Sequence, residues 1–192
     1  MKNNLKTLAL ISILSASLLA CNKDKNEKKA EEEIENEIIT TVQLTFTDST
    51  NSNNKKPYNW VNSNGYQAGS DAKIDTIKLD NSKTYIGKIL LLNTTSNPVD
   101  TISNEVLELK NEHQFFYENQ NTSTLNINFI TTDKDDNGVP LGLYFKTKTG
   151  AISKGNIRVR LKHQPDVKPK SGNGDVNLGS TDVEVIFPVI VQ

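Results

Sequence analysis

The chain has 192 residues, 35% hydrophobic and 6% aromatic, with 22 basic and 23 acidic side chains. That length suits one domain with extensions rather than a large multi-domain enzyme, and a net charge of −1 lacks the basic excess of a nucleic-acid binder. A single cysteine excludes an internal disulfide, so stability has to come from a buried core.

Residues 1–20 combine a basic start, Lys2 and Lys6, with an apolar run from Leu8 to Leu19 and a small residue, Ala20, before the only cysteine. The run is shorter than the roughly 20 apolar residues that a spanning helix needs, so the stretch reads as a secretory signal peptide. Leu18-Leu19-Ala20-Cys21 has the form of a lipobox, which predicts that the chain is cut before Cys21 and that the Cys21 thiol carries a diacylglyceryl group. Each buried acyl CH₂ contributes about 0.8 kcal/mol and two chains anchor stably, so the protein is expected to stay lipid-anchored on a membrane. Removing Lys2 and Lys6 leaves 20 basic against 23 acidic residues, a net charge of −3, which argues against nucleic acid and anionic lipid headgroups as partners.

Residues 22–37 are almost devoid of apolar side chains and rich in charge of both signs, the composition of a tether that cannot fold alone. Fully extended, such a segment reaches roughly 55 Å. Lys23, Asp24 and Glu27 resemble the short charged signal that sends lipoproteins of some Gram-negative bacteria to the outer face of the outer membrane, which implies a cell-surface orientation, with retention on the periplasmic face as the alternative.

The folded domain is expected over residues 38–192. Val42, Leu44 and Phe46 alternate with Thr41, Gln43 and Thr45, the period of a half-buried strand. Residues 48–56 hold no apolar side chain and read as a loop, followed by short strands over residues 58–61 and 74–79. Residues 84–93 form a stronger strand whose continuous apolar end predicts burial on both faces, with Gly87 marking a bulge or a close contact. Over residues 100–112 the spacing of Ile102, Val106 and Leu109, with His113 next, predicts one crossover helix, capped by Asp100 or Thr101. Alternation then returns at Leu125, Ile127 and Phe129, at Leu141, Leu143 and Phe145, at Ile157, Val159 and Leu161, and from Val183 to Val191. Residues 164–181, rich in Gly, Asn, Pro and Lys, read as a long surface loop. Seven or eight such strands predict an antiparallel, Ig-like β-sandwich, with a closed barrel as the competing topology.

Several motifs in a fixed order carry a resemblance: Ile39-Thr40-Thr41-Val42, Glu112-His113-Gln114-Phe115-Phe116-Tyr117, the run from Asp133 to Leu143, Thr149-Gly150, and Leu161-Lys162-His163-Gln164-Pro165. In these the chain resembles a group of small outer-membrane lipoproteins of unassigned function, often labelled type 1 periplasmic-binding-domain proteins and found beside TonB-dependent receptors. The resemblance implies no enzymatic activity, and it implies a receptor of the outer membrane as a partner. A true periplasmic-binding fold alternates helices with parallel strands over a longer chain, a pattern this sequence does not follow. Where the group carries an acidic, Gly-rich loop after the first strand, this chain has Asp48-Ser49-Thr50-Asn51-Ser52-Asn53.

Three constellations are candidates for chemistry. Asp133, Asp135 and Asn137, followed by Gly138, offer oxygens at alternate positions as a calcium loop does, with Asp48 as a further donor from a neighbouring loop; Tyr144 stands where an EF-hand places its bidentate carboxylate. The bland reading is a β-hairpin connection turning on Asn137-Gly138. His113 and His163, the only histidines, are candidate ligands for a transition metal or haem iron, set against a hydrogen-bonded core role. Tyr58, Trp60 and Tyr66 among Asn and Ser are candidates for stacking on a sugar ring, set against a core role. The sequence has no Gly-x-Ser-x-Gly elbow, His-Glu-x-x-His motif or phosphate loop, and its one thiol is assigned to lipid. The expected function is a non-catalytic binding or interaction module, with metal or haem capture by His113 and His163 as the alternative.

Overall fold

The computed structural model describes residues 38–66, 71–120 and 125–192; the leader, Cys21 and the tether lie outside them. No helix among the described residues is long and apolar enough to cross a membrane. Among the described residues, ten strands and one short helix follow in order: β1 (Thr41–Asp48), β2 (Asn51–Val61), β3 (Lys73–Ile74), β4 (Ile77–Leu79), β5 (Thr84–Leu92), α1 (Ser103–Glu108), β6 (His113–Asn119), β7 (Ile127–Thr131), β8 (Tyr144–Thr149), β9 (Ser153–His163) and β10 (Ser180–Val191). The architecture is the expected antiparallel β-sandwich with one short helix. One sheet has the order β3-β2-β1-β5-β8-β7 and the other the order β4-β10-β9-β6, and only the β10–β4 pair is parallel.

The alternating residues do what period two dictates. Val42, Leu44 and Phe46 on β1, Ile89 and Leu91 on β5, Ile157, Val159 and Leu161 on β9, and Val183, Val185 and Phe187 on β10 meet in one core. Phe46 is fully buried and makes edge contacts with Tyr58, Tyr85, Phe129 and Phe145 at centroid distances of 5.5–6.4 Å. Burying a side chain of that size contributes about 1.5–3 kcal/mol. Gly87 is inward-facing on β5, and a Cβ there would collide with the Phe145 ring, so the expected close contact is the one that exists.

Five local expectations are corrected. Residues 51–56 are strand rather than loop. Asp48 turns the chain by accepting from the Thr50 N–H at 2.8 Å and the Thr50 hydroxyl at 2.7 Å, and the polar residues after it pair through their backbone along β1. Residues 74–79 split: β3 joins β2, while β4 joins β10 in the opposite sheet. The double burial expected at the apolar end of β5 is partial, since Ile89 and Leu91 are buried but Leu90 and Leu92 only half-buried. The helix is one short turn and a half, entered at Ile102 without a side-chain cap, with Ile102 and Val106 buried; His113 opens β6 instead of continuing the helical stripe. Leu141 and Leu143 are buried just before β8 rather than within it.

The two seams between the sheets differ. On one side Tyr58 of β2 donates its hydroxyl to the Lys78 carbonyl of β4 at 2.6 Å, and the chain itself crosses between the sheets from β3 to β4. On the other side β6 and β7 are the outer strands of their sheets and are not paired with each other. The sandwich is therefore a half-barrel: along this second seam the strands leave a gap, bridged by the Phe115 N–H donating to the Leu141 carbonyl at 2.7 Å and by Asn119 Nδ2 donating to the Ile127 carbonyl at 3.1 Å.

Candidate functional site

The acidic loop before β8 satisfies itself. Asp133 accepts from the N–H of Gly142 at 3.0 Å and of Leu143 at 2.9 Å, one with each carboxylate oxygen. Asp135 Oδ1 accepts from the N–H of Asn137 and of Val139, both at 2.9 Å, while Gly138 supplies the positive φ of +81° that closes the turn. Asp135 Oδ2 is 2.9 Å from Lys168 Nζ, an ion pair in which the two side chains are 0% and 3% exposed. Asn137 is exposed and contributes its backbone N–H. Asp48 is aligned with Tyr85 and Thr147, away from the loop that precedes Tyr144, and is engaged by Thr50 and by Lys83 at 3.6 Å. Hydrogen bonding from Thr50 holds its carboxyl below the usual range. The donor set does not fit calcium: the carboxylates turn to backbone amides and to an internal ammonium group rather than converging on one point.

Lys168 is the residue that the sequence hides. It lies in the loop between β9 and β10, where no periodicity marks an inward side chain. Besides Asp135, its ammonium donates to the carbonyls of Lys110 and His113, both at 2.7 Å, so all three protons are used. Burial pulls the Lys168 amine below its ordinary value, against the pull of Asp135 in the other direction. Gln164 Nε2 donates to the carbonyls of Asp175 at 2.6 Å and Leu178 at 3.0 Å, and Gln114 Nε2 to that of Asn173 at 2.9 Å. The expected surface loop is thus pinned to the sandwich by three buried polar side chains.

The two histidines do meet. They are cross-strand partners at the ends of β6 and β9, and their rings stack with centroids 4.6 Å apart and planes 9° from parallel. His113 Nδ1 lies 3.0 Å from the Leu109 carbonyl, which can only accept, so Nδ1 carries the proton. Its Nε2 is 3.6 Å from Asp182 Oδ2, and His163 Nε2 is 3.8 Å from Glu112 Oε2. Burial lowers the His113 pKa to about 4, partly opposed by the Leu109 carbonyl and helped by His163 and Lys168, so the ring is neutral at pH 7. Imidazole ligates through a lone pair in the ring plane at about 2.0–2.1 Å, and two nearly parallel stacked planes do not cross at such a point. Both side chains are buried. The pair is a core stack, and no group of three or more His, Cys, Asp or Glu among the described residues is arranged to hold a metal ion.

The aromatic trio is structural as well. Tyr58 and Trp60 share the inward parity of β2 opposite Leu44 and Val42, and Trp60 packs against Tyr66 at 6.0 Å. Trp60 is buried, and the Tyr58 hydroxyl is spent on the seam. No flat, exposed platform for a sugar results.

The seam between β6 and β7 holds what these candidates lack. A cleft of about 380 Å³ separates β6 from β7, walled by Phe116, Tyr117, Phe129 and Pro140, with Gln114 and Lys134 at its polar margin. Its floor is the Tyr117–Phe129 stack, 5.2 Å between centroids and 9° from parallel, and Tyr117 is locked by donating to the Gly142 carbonyl at 2.6 Å. Burial and the nearby Asp133 charge push the Tyr117 phenol well above its usual range, so it stays a neutral donor. The arrangement supplies aromatic contact area and a comparable polar surface from Gln114, Thr131, Lys134 and Asn173, suited to recognition by shape and hydrogen bonding together. The sequence displays Phe115-Phe116-Tyr117 but not that both neighbouring strands are sheet edges. Comparison with known protein families, with curated proteins and with solved structures finds no match.

Proposed function

We propose that the protein is a membrane-anchored, non-catalytic binding module at the outer membrane, facing the cell surface, which docks a protein partner in the cleft between β6 and β7. The cleft carries the reading. It sets aromatic walls among polar groups and lies between the outer strands of the two sheets, the kind of edge at which an extended segment of another chain adds main-chain hydrogen bonds while its side chains fill pockets. The lipobox at Leu18-Leu19-Ala20-Cys21 and the charged tether supply the location. The resemblance to lipoproteins found beside TonB-dependent receptors supplies the class of partner, a receptor of the outer membrane.

The test has two parts. Cys21→Ala should move the protein from the membrane to the soluble fraction and abolish palmitate labelling. A photo-crosslinking amino acid at Phe116, in the cleft, should join the wild-type anchored protein to an outer-membrane protein, whereas one at the exposed Ile152 should not. Equal labelling from both positions, or none from Phe116, overturns the cleft as the docking site. Retention of Cys21→Ala in the membrane overturns the anchor.

A further inference from the structure

We infer that the outer face of the six-stranded sheet is a docking surface for an anionic lipid bilayer. From residue 38 onward the chain carries 16 basic and 16 acidic residues, so the domain is neutral as a whole, and the net charge conceals how the signs are distributed. On the outer face of the four-stranded sheet the charges are matched: Arg158 lies 3.3 Å and Arg160 3.7 Å from Glu184, and Arg160 also pairs with Glu118. The outer face of the six-stranded sheet is different. Lys55, Lys88, Lys146 and Lys148 occupy outward positions on β2, β5 and β8, and none of them is ion-paired among the described residues. The outward positions of β1, β2, β5, β7 and β8, read from the register, carry no Asp or Glu; at the β3 edge of the face Asp75 accepts from the Asn59 N–H at 2.8 Å, away from these four lysines.

Apolar groups sit among these lysines. Ile86 faces outward beside Lys146 and is 49% exposed, Tyr144 lies beside Lys88 at 51%, and Ile130 flanks Lys146 on β7 at 55%. A shallow depression of about 180 Å³ opens between Ile86, Lys88 and Tyr144. Lysines interspersed with isoleucine and tyrosine on a flat sheet suit a bilayer: the ammonium groups meet headgroup phosphates, while the apolar side chains and the amphipathic tyrosine enter the interface.

The other anionic candidate is the chain's own stretch of Glu31, Glu32, Glu33, Glu35 and Glu37. It joins the domain at the beginning of β1, whereas the register places Lys88 opposite Thr45 and Lys55 opposite Thr47. Those lysines lie four to six residues along the strand, roughly 14–20 Å from Thr41, within reach of an extended stretch that starts ten residues before it, so the glutamates are the occupant the experiment has to separate from a bilayer; Lys146 and Lys148 lie still farther from that end. A bilayer covers the whole face at once. The inference takes the membrane itself from the anchoring reading but adds how the domain sits on it.

The chain from residue 21 onward, carrying Cys21→Ser so that no acyl group contributes, is mixed with vesicles of pure phosphatidylcholine or of phosphatidylcholine with 30% phosphatidylglycerol, and sedimented. Binding is expected only to the anionic vesicles and should weaken as salt is raised. Lys88→Gln with Lys146→Gln should weaken it about 25-fold, fivefold for each charge removed, with an unchanged thermal melt showing that the fold is intact. Equal binding to both vesicles, or none to either, overturns the inference. So does binding seen only after the five glutamates are changed to Gln, which would make the acidic stretch the occupant. Because this protein has no lipid, the outcome is independent of whether Cys21→Ala leaves the membrane in cells.

Discussion

Replacing Lys168 by Met should destabilise the domain far more than a surface lysine would. The ammonium group is almost wholly buried and makes three contacts: Asp135 Oδ2 at 2.9 Å and the carbonyls of Lys110 and His113 at 2.7 Å. Methionine matches the aliphatic stem but leaves a fully buried carboxylate without its counter-charge and two carbonyls without their donor. Breaking a buried pair from one side costs about 3–5 kcal/mol, which for a domain of this size corresponds to a melting temperature lower by roughly 10 °C. Asp135→Asn in the same chain should recover part of the loss, since the Asn Oδ1 still accepts from Asn137 and Val139 while the stranded charge is gone. Urea denaturation of the wild type, both single variants and the double variant gives the coupling directly. A Lys168→Met protein within about 1 kcal/mol of wild type, or a double variant no more stable than Lys168→Met alone, would refute the view that this pair pins the loop between β9 and β10.

Two further predictions concern the candidates read from sequence. His113 titrates at 6.5 when unfolded and at about 4 in the fold, so between those values the unfolded chain binds a proton that the native state refuses. Stability should fall as the pH drops from 6.5 to 4, by about 3 kcal/mol at the lower end. His113→Phe, which keeps the stack on His163, should flatten that portion of the stability curve, and parallel curves for the two proteins would show that His113 is not the group responsible. Millimolar calcium, or its removal by a chelator, should leave the melting temperature unchanged, because the oxygens of Asp133 and Asp135 are already engaged. A rise of several degrees with calcium would mean that the loop rearranges to bind it.

The sequence by itself determined the class of fold and the side each residue takes. Alternation at Val42, Leu44 and Phe46, or at Val183, Val185 and Phe187, is a local property of a strand with one wet and one dry face, and those residues are the core. It also determined the placement of Gly87, because a missing side chain in an apolar strand needs a neighbour to fill its space, here Phe145. Partner choice is not local, and there the sequence ran out. Asn51 to Lys56 carry no strand signal in their side chains because backbone pairing with β1 makes them a strand. The helical spacing of Ile102, Val106 and Leu109 yields only six helical residues because His113 is claimed by β9.

Only the tertiary structure decided the sites. Chain order cannot show that His113 and His163 face each other as flat rings, that a lysine in a Gly- and Asn-rich loop neutralises Asp135, or that β6 and β7 leave a gap between them. Nor can a net charge show that Lys55, Lys88, Lys146 and Lys148 share one face while the arginines of β9 are matched by glutamates. Each of these depends on which strands are neighbours, and that is settled by burial of the whole core rather than by any one segment's preference.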